Sequence, residues 1–203
     1  NVIFVDVDMT MPTPEVPEPF TVKWFFGVKD CYSTWNPTLL DIHGLGFDWG
    51  QIEIKSRLAS NMPVQELISK NGTNRLCIAV SDVDTPISIK TGVCEEKAAI
   101  DCEIEFFTKP TSSTDSYHAV IRLDLRDIPY YDSVYETAAW WENECGYKPA
   151  YVPEAAKMPM DSLWYSFHQW LDREEILKEC RASKELGLET VIIDDGWQTD
   201  NIA

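Results

Sequence analysis

The chain has 203 residues, 44% of them hydrophobic and 12% aromatic, a globular rather than a disordered composition with room for one sizeable domain or a domain plus part of another. A formal net charge of −17 and a pI of about 4.4 repel phosphate backbones and anionic membrane surfaces, so neither nucleic acid nor membrane is expected as a partner, while a neutral ligand such as a sugar meets no such penalty. No run is long enough to span a bilayer and no signal peptide is visible, so the expected location is cytoplasmic, although a chain that opens on Asn1 rather than Met argues for a missing N-terminal portion.

Residues 1–132 read as an antiparallel β-sandwich domain. Val2 to Val7 is the first strand candidate, and Pro12, Pro14, Pro17 and Pro19 then break the chain. Thr21 to Val28 is the next apolar run. Ile52, Ile54 and Leu58 alternate with Glu53 and Lys55, and Leu76 to Val80 and Ile87 to Ile89 follow. Ile100, Cys102, Ile104 and Phe106 alternate with Asp101, Glu103 and Glu105, and Tyr117 to Leu125 repeats that pattern. Period-two alternation means one buried and one wet face, and several such strands separated by turn residues favour two packed antiparallel sheets. Asn71-Gly72-Thr73 has the form of an N-glycosylation acceptor but is read as an ordinary turn.

The period changes over residues 133–160, which read as a helix followed by a proline-rich linker. Val134, Ala138, Trp141 and Cys145 fall at helical spacing, Gly146 stops the helix, and Pro149, Pro153 and Pro159 mark the linker. Ser162 to His168 then reads as a strand. Asp172, three residues before Glu175, has capping-box spacing; Ile176, Cys180 and Ser183 continue one helical face; and Gly187 ends it. Thr190 to Ile193 is the uncharged, β-branched run expected of a strand buried on both faces, and Asp194-Asp195-Gly196 closes it. Strand, helix and strand in this compass make a βαβ unit with a parallel pair. The six cysteines contain no C-x-x-C pair, so no zinc site is expected, and Cys102 and Cys180 read as small buried hydrophobes.

The chemistry concentrates at Asp194 and Asp195, two neighbouring carboxylates at the end of a parallel strand, where ligands bind in βα architectures. Paired carboxylates accept hydrogen bonds from several hydroxyls, which suits a polyol; the bland alternative is an acidic turn capping the next helix. Trp164 and Tyr165 supply aromatic surface that packs on the C–H faces of sugar rings, and in a strand Trp164, Ser166 and His168 would share one face. Phe167 and Trp170 read as core packing.

Trp164-Tyr165-Ser166-Phe167-His168-Gln169, followed by a helix and then Ile192-Ile193-Asp194-Asp195-Gly196-Trp197-Gln198, resembles the opening of the catalytic barrel in family 36 glycoside hydrolases, the α-galactosidases. The resemblance covers residues 160–200 and implies that 161–203 begin a (β/α)8 barrel that is incomplete here. It implies that Trp164 and Tyr165 lie beside the galactose of an oligosaccharide, that Asp194 and Asp195 bind its hydroxyls, and that Trp197 stands in the following loop. The family also sends a tryptophan from its sandwich domain toward the sugar, and Trp35, in the loop-like Ser33-Thr34-Trp35-Asn36-Pro37, is the candidate. Family members are retaining hydrolases with a catalytic Asp pair about 5–5.5 Å apart. That pair comes from later barrel strands, so no catalytic residue, cofactor or metal is expected in this chain, which reads as an inactive fragment of a longer enzyme. Its uncovered strand edge would lean on the sandwich, on a neighbouring copy in a homo-oligomer, or on a missing remainder. A non-catalytic carbohydrate-binding or accessory β-sandwich domain remains the alternative, as does transglycosylase in place of hydrolase.

Overall fold

A computed structural model describes residues 1–57 and 60–198, so Leu58 lies outside the described residues. The chain forms two compact units, Asn1–Lys148 and Pro149–Ala203.

The first unit runs β1 (Val2–Glu15), β2 (Phe20–Gly27), β3 (Ser33–Trp35), β4 (His43–Gly44), β5 (Ile52–Ser56), β6 (Val64–Ile68), β7 (Asn74–Val80), β8 (Ile87–Cys94), β9 (Ala99–Phe106), β10 (Thr114–Asp124) and helix α1 (Tyr130–Asn143). One sheet has the order β1-β10-β7-β6-β3-β4 and the other β2-β9-β8-β5, with every strand pairing antiparallel. The alternation legible in β9 points Ile100, Cys102, Ile104 and Phe106 into one apolar cluster, which Ile54 and Ile89 join from the same sheet and Leu67, Ile78 and Ile121 from the other. The two sheets share this core, an arrangement compatible with a β-sandwich. Each fully buried Ile or Phe contributes roughly 1.5–3 kcal/mol. On the opposite face of β9, Lys23 meets Asp101 at 2.7 Å and Lys90 meets Glu105 at 3.0 Å, so cross-strand charge pairs line the wet side.

Strand β7 is buried on both faces. Cys77 and Ala79 point away from the shared core and meet Val64, Trp140 and Trp141, so α1 lies on the outer face of the six-stranded sheet and belongs to the first unit. Its buried face is Ser133, Thr137, Trp140 and Trp141, which corrects the expected stripe: Val134 is only half-buried and Ala138 is exposed. Of its two polar residues Thr137 has partners, whereas the Ser133 hydroxyl has none among the described residues. Thr137 Oγ1 accepts from Arg122 Nη1 at 2.8 Å and donates to the Ser133 carbonyl at 2.9 Å, while Trp141 Nε1 donates to the Val80 carbonyl at 2.8 Å.

Two other differences have identifiable physical causes. Strand β1 runs through Pro12 and Pro14 because it is an edge strand whose register with β10 shifts between Thr10 and Glu15, where missing N–H donors cost nothing. Strand β6 has no legible alternation because Gln65 and Glu66 are as buried as its apolar residues. Gln65 is satisfied internally, accepting from Asn36 Nδ2 at 3.0 Å and donating to Thr34 Oγ1 at 2.5 Å. Asn71-Gly72-Thr73 forms the β6–β7 turn, with Gly72 at φ +79°. All six cysteines are free thiols; Cys102 is buried, whereas Cys180 is half-buried, contrary to expectation.

The second unit contains β11 (Met160–Ser162), a helical turn α2 (Trp164–Phe167), helix α3 (Arg173–Glu185) and β12 (Thr190–Ile192). β11 and β12 pair in parallel, Met160 with Thr190 and Ser162 with Ile192, making one βαβ unit. The N-cap of α3 is Asp172, as the spacing predicts, its carboxylate accepting from the N–H groups of Glu174 and Glu175 at 3.0 Å each. Gly187 follows the helix at φ +84°. The strand expected over Ser162–His168 is corrected: β12 ends at Ile192, so the residues after Leu163 have no ladder to join and coil into α2 instead. Trp164, Ser166 and His168 therefore do not alternate along a strand; Trp164 and His168 sit one helical turn apart, their rings edge to face at 5.2 Å. Nor is β12 buried on both faces, since Ile192 and the following Ile193 are 41% and 50% exposed. Among the described residues no helix is long and apolar enough to cross a membrane.

Candidate functional site

The parallel pair of the second unit delivers both sequence motifs to the same end. Trp164 comes two residues after the end of β11, with Leu163 N donating to the Ile192 carbonyl at 3.1 Å as the last rung between the strands. Asp194 and Asp195 come two and three residues after the end of β12. Helix α3 is tied to β11 by Ser183 Oγ, which donates to Asp161 Oδ2 at 2.5 Å, and this holds the crossover against the strand whose end carries the site.

The contact that joins the motifs is Gln169 with Asp195. Gln169 Nε2 donates to Asp195 Oδ2 at 2.6 Å; Gln198 Nε2 and the Gly196 N–H donate to Oδ1 at 2.5 and 3.0 Å. These amide donors, Gln169 foremost and then Gln198, hold the Asp195 carboxyl below its ordinary range, against a small opposing effect of burial. Gly196 seals the junction. It adopts φ +103°, and a Cβ there would meet the Gln169 carbonyl oxygen at 2.7 Å and its Cα at 2.8 Å, so only glycine allows the two segments to approach this closely.

The two carboxylates are inequivalent. Asp195 is half-buried and accepts three hydrogen bonds of the roughly four a carboxylate can take. Asp194 is exposed, and its Oδ1 accepts from the Asp195 N–H at 2.7 Å. Neither forms an ion pair among the described residues; those of this unit are Lys157–Glu154, Arg173–Glu174 and Lys178–Glu175. Asp194 is thus the carboxylate presented to solvent and Asp195 the one that fixes the loop. Trp164 is half-buried against His168, while Tyr165 and Trp197 are 84% and 71% exposed, giving two open aromatic faces. Trp170, read as core, is 76% exposed. Gln169 and Gln198 close both motifs, but their role as Asp195 donors follows from proximity in space, not from spacing.

Trp35 is not a loop residue. It ends β3 and packs against the cluster of Val64, Trp140 and Trp141, so its ring is committed within the first unit. Asp48, Cys94 and Glu96 bring three potential ligand atoms within 4.8 Å of one another. Burial, followed by the Asp48 hydrogen bond, raises the Cys94 thiol above its ordinary value.

Compared with protein families and with curated proteins, the chain matches none.

Proposed function

We propose that this chain is the N-terminal part of a retaining α-galactosidase of the family 36 type and that its second unit begins the (β/α)8 barrel, binding the terminal galactosyl unit of an oligosaccharide. The observation that carries the reading is the Gln169–Asp195 hydrogen bond at 2.6 Å, with Gly196 seated on the Gln169 backbone. It joins the two segments on which the resemblance rests, and it does so beyond the ends of parallel strands, where βα proteins bind ligands. In this reading Asp194 accepts hydroxyl hydrogen bonds, Asp195 positions the loop and lends its remaining acceptor capacity, and Trp164, Tyr165 and Trp197 offer ring faces to the sugar. Bond cleavage belongs to an Asp pair on later strands, so this chain recognises but does not hydrolyse.

Calorimetric titration with raffinose, paired with an aryl α-galactoside assay, tests the proposal. Weak binding that Asp194→Ala reduces about tenfold, with no turnover, is the expected result. Robust turnover by this chain, or binding indifferent to Asp194→Ala, would overturn it. The second reading, a sandwich domain that itself binds carbohydrate, is favoured by a groove on the first unit lined by Phe4, Trp140 and Tyr147.

A further inference from the structure

Helix α1 covers β6, β7 and the Arg122 end of β10 but leaves β1 and the His118 end of β10 open, and the uncovered strip becomes a groove of about 790 Å³ between β1, the Ser81–Asp84 loop and the C-terminal end of α1. That volume lies in the range of small-molecule sites, roughly 300–1,000 Å³. Its walls are aromatic. Phe4, 51% exposed, stands 5.9 Å from the ring of Trp140, and Tyr147, 38% exposed, lines the cavity where the chain leaves the helix. Its rim carries hydrogen-bonding groups of both kinds: Asp6, Asp84 and Glu144 accept, and Lys148 and the Tyr147 hydroxyl donate. Asp82, by contrast, is used by the fold, accepting from Tyr117 Oη at 2.9 Å and from the N–H groups of Asp84 and Thr85.

We infer that this groove is a second carbohydrate site, taking one pyranose ring of an oligosaccharide against the exposed faces of Phe4 and Tyr147, beside the edge of the buried Trp140 and separately from Asp194 and Asp195. Aromatic walls match the C–H face of a pyranose, and a rim with donors as well as acceptors matches hydroxyls, each of which does both. An organic cation would use the acceptors and leave Lys148 opposed. The choice of a sugar rests on the carbohydrate-active reading of the protein; the groove itself rests only on the first unit.

Nuclear magnetic resonance of the labelled full chain separates the two sites, because the indole N–H of Trp140 reports the groove and that of Trp197 the second unit. Raffinose is expected to shift the Trp140 signal saturably in the wild type and unchanged in Asp194→Ala. Phe4→Ala is expected to weaken that response about tenfold. Asp6→Asn, which alters an exposed carboxylate and leaves the walls intact, should weaken it as well and guards against misfolding of the aromatic variant. A Trp140 signal that ignores raffinose, that responds equally in Phe4→Ala and Asp6→Asn, or that moves with putrescine instead, overturns the proposal. A moving Trp140 signal beside a silent Trp197 upholds the groove while removing the galactoside site.

Discussion

Gly196 is a single residue on which the geometry of the candidate site turns. With φ at +103° and no room for a Cβ against the Gln169 carbonyl, Gly196→Ala must either strain the backbone or push the two segments apart. Strain of this kind costs about 1–3 kcal/mol. The expected outcome is a lower thermal midpoint and loss of the restraint on Asp195, read as a rise of its carboxyl pKa toward the ordinary range in carbon-detected titrations. An unchanged titration would mean that Gln169 holds Asp195 without help from the turn. The same site shows the limit of reading residues singly. The Asp194-Asp195 pair stands out in the sequence because it places two carboxylates at the end of a parallel strand, yet nothing in the spacing distinguishes the solvent-facing member from the one bonded to Gln169 and Gln198.

Among the elements, α3 was legible from its N-cap to its terminating glycine because capping is local: the Asp172 carboxylate reaches N–H groups two and three residues on. Asp172→Ala is expected to cost about 1 kcal/mol and to speed amide exchange at Glu174 and Glu175 while leaving the first unit untouched. Strand β9 was legible for a similar reason, as its period-two pattern records a wet and a dry face. Strand β6 was not, because its polar residues are buried and one of them, Gln65, finds partners on β3 and β8, far away in sequence. Strand β11 was misplaced because apolar, aromatic composition does not separate a strand from a helical turn, and the choice fell to how far β12 extends alongside it.

For the molecule as a whole, pH dependence follows from a buried polar cluster beneath α1. Burial, aided by the nearby Asp124 charge, pushes the Glu66 carboxyl from 4.5 to about 8, and the Cys77 thiol and Arg122 offset only part of this. Both Glu66 oxygens lack hydrogen-bond partners among the described residues. Between those values the folded chain keeps a proton that the unfolded chain has lost, so stability falls as pH rises through the window. Asp124 acts at the other end. Burial alone would raise it, but hydrogen bonds from Arg126 and the charges of Arg122 and Arg126 hold it below its ordinary value, so its contribution is full above the unfolded carboxyl range and is lost as pH falls through the lowered value. Self-repulsion at a net charge of −17 adds to the alkaline decline. The thermal midpoint should therefore peak near roughly pH 5, and Glu66→Gln should flatten the alkaline limb, raising the midpoint more at pH 8 than at pH 5. A wild-type midpoint that climbs from pH 5 to pH 8 would show that Glu66 is ionised at little cost.

Short-range physics is written in the residues: alternation in the strands, the cap and stop of α3, a β-rich first part, and two motifs of aromatic and acidic residues separated by a helix. Tertiary structure alone decided which faces of α1 and β7 meet, that β6 exists, that α2 is coiled, and that Gln169 reaches Asp195. These outcomes depend on partners distant along the chain, whose hydrogen bonds and packing outweigh local preference and leave no periodic trace in the residues themselves.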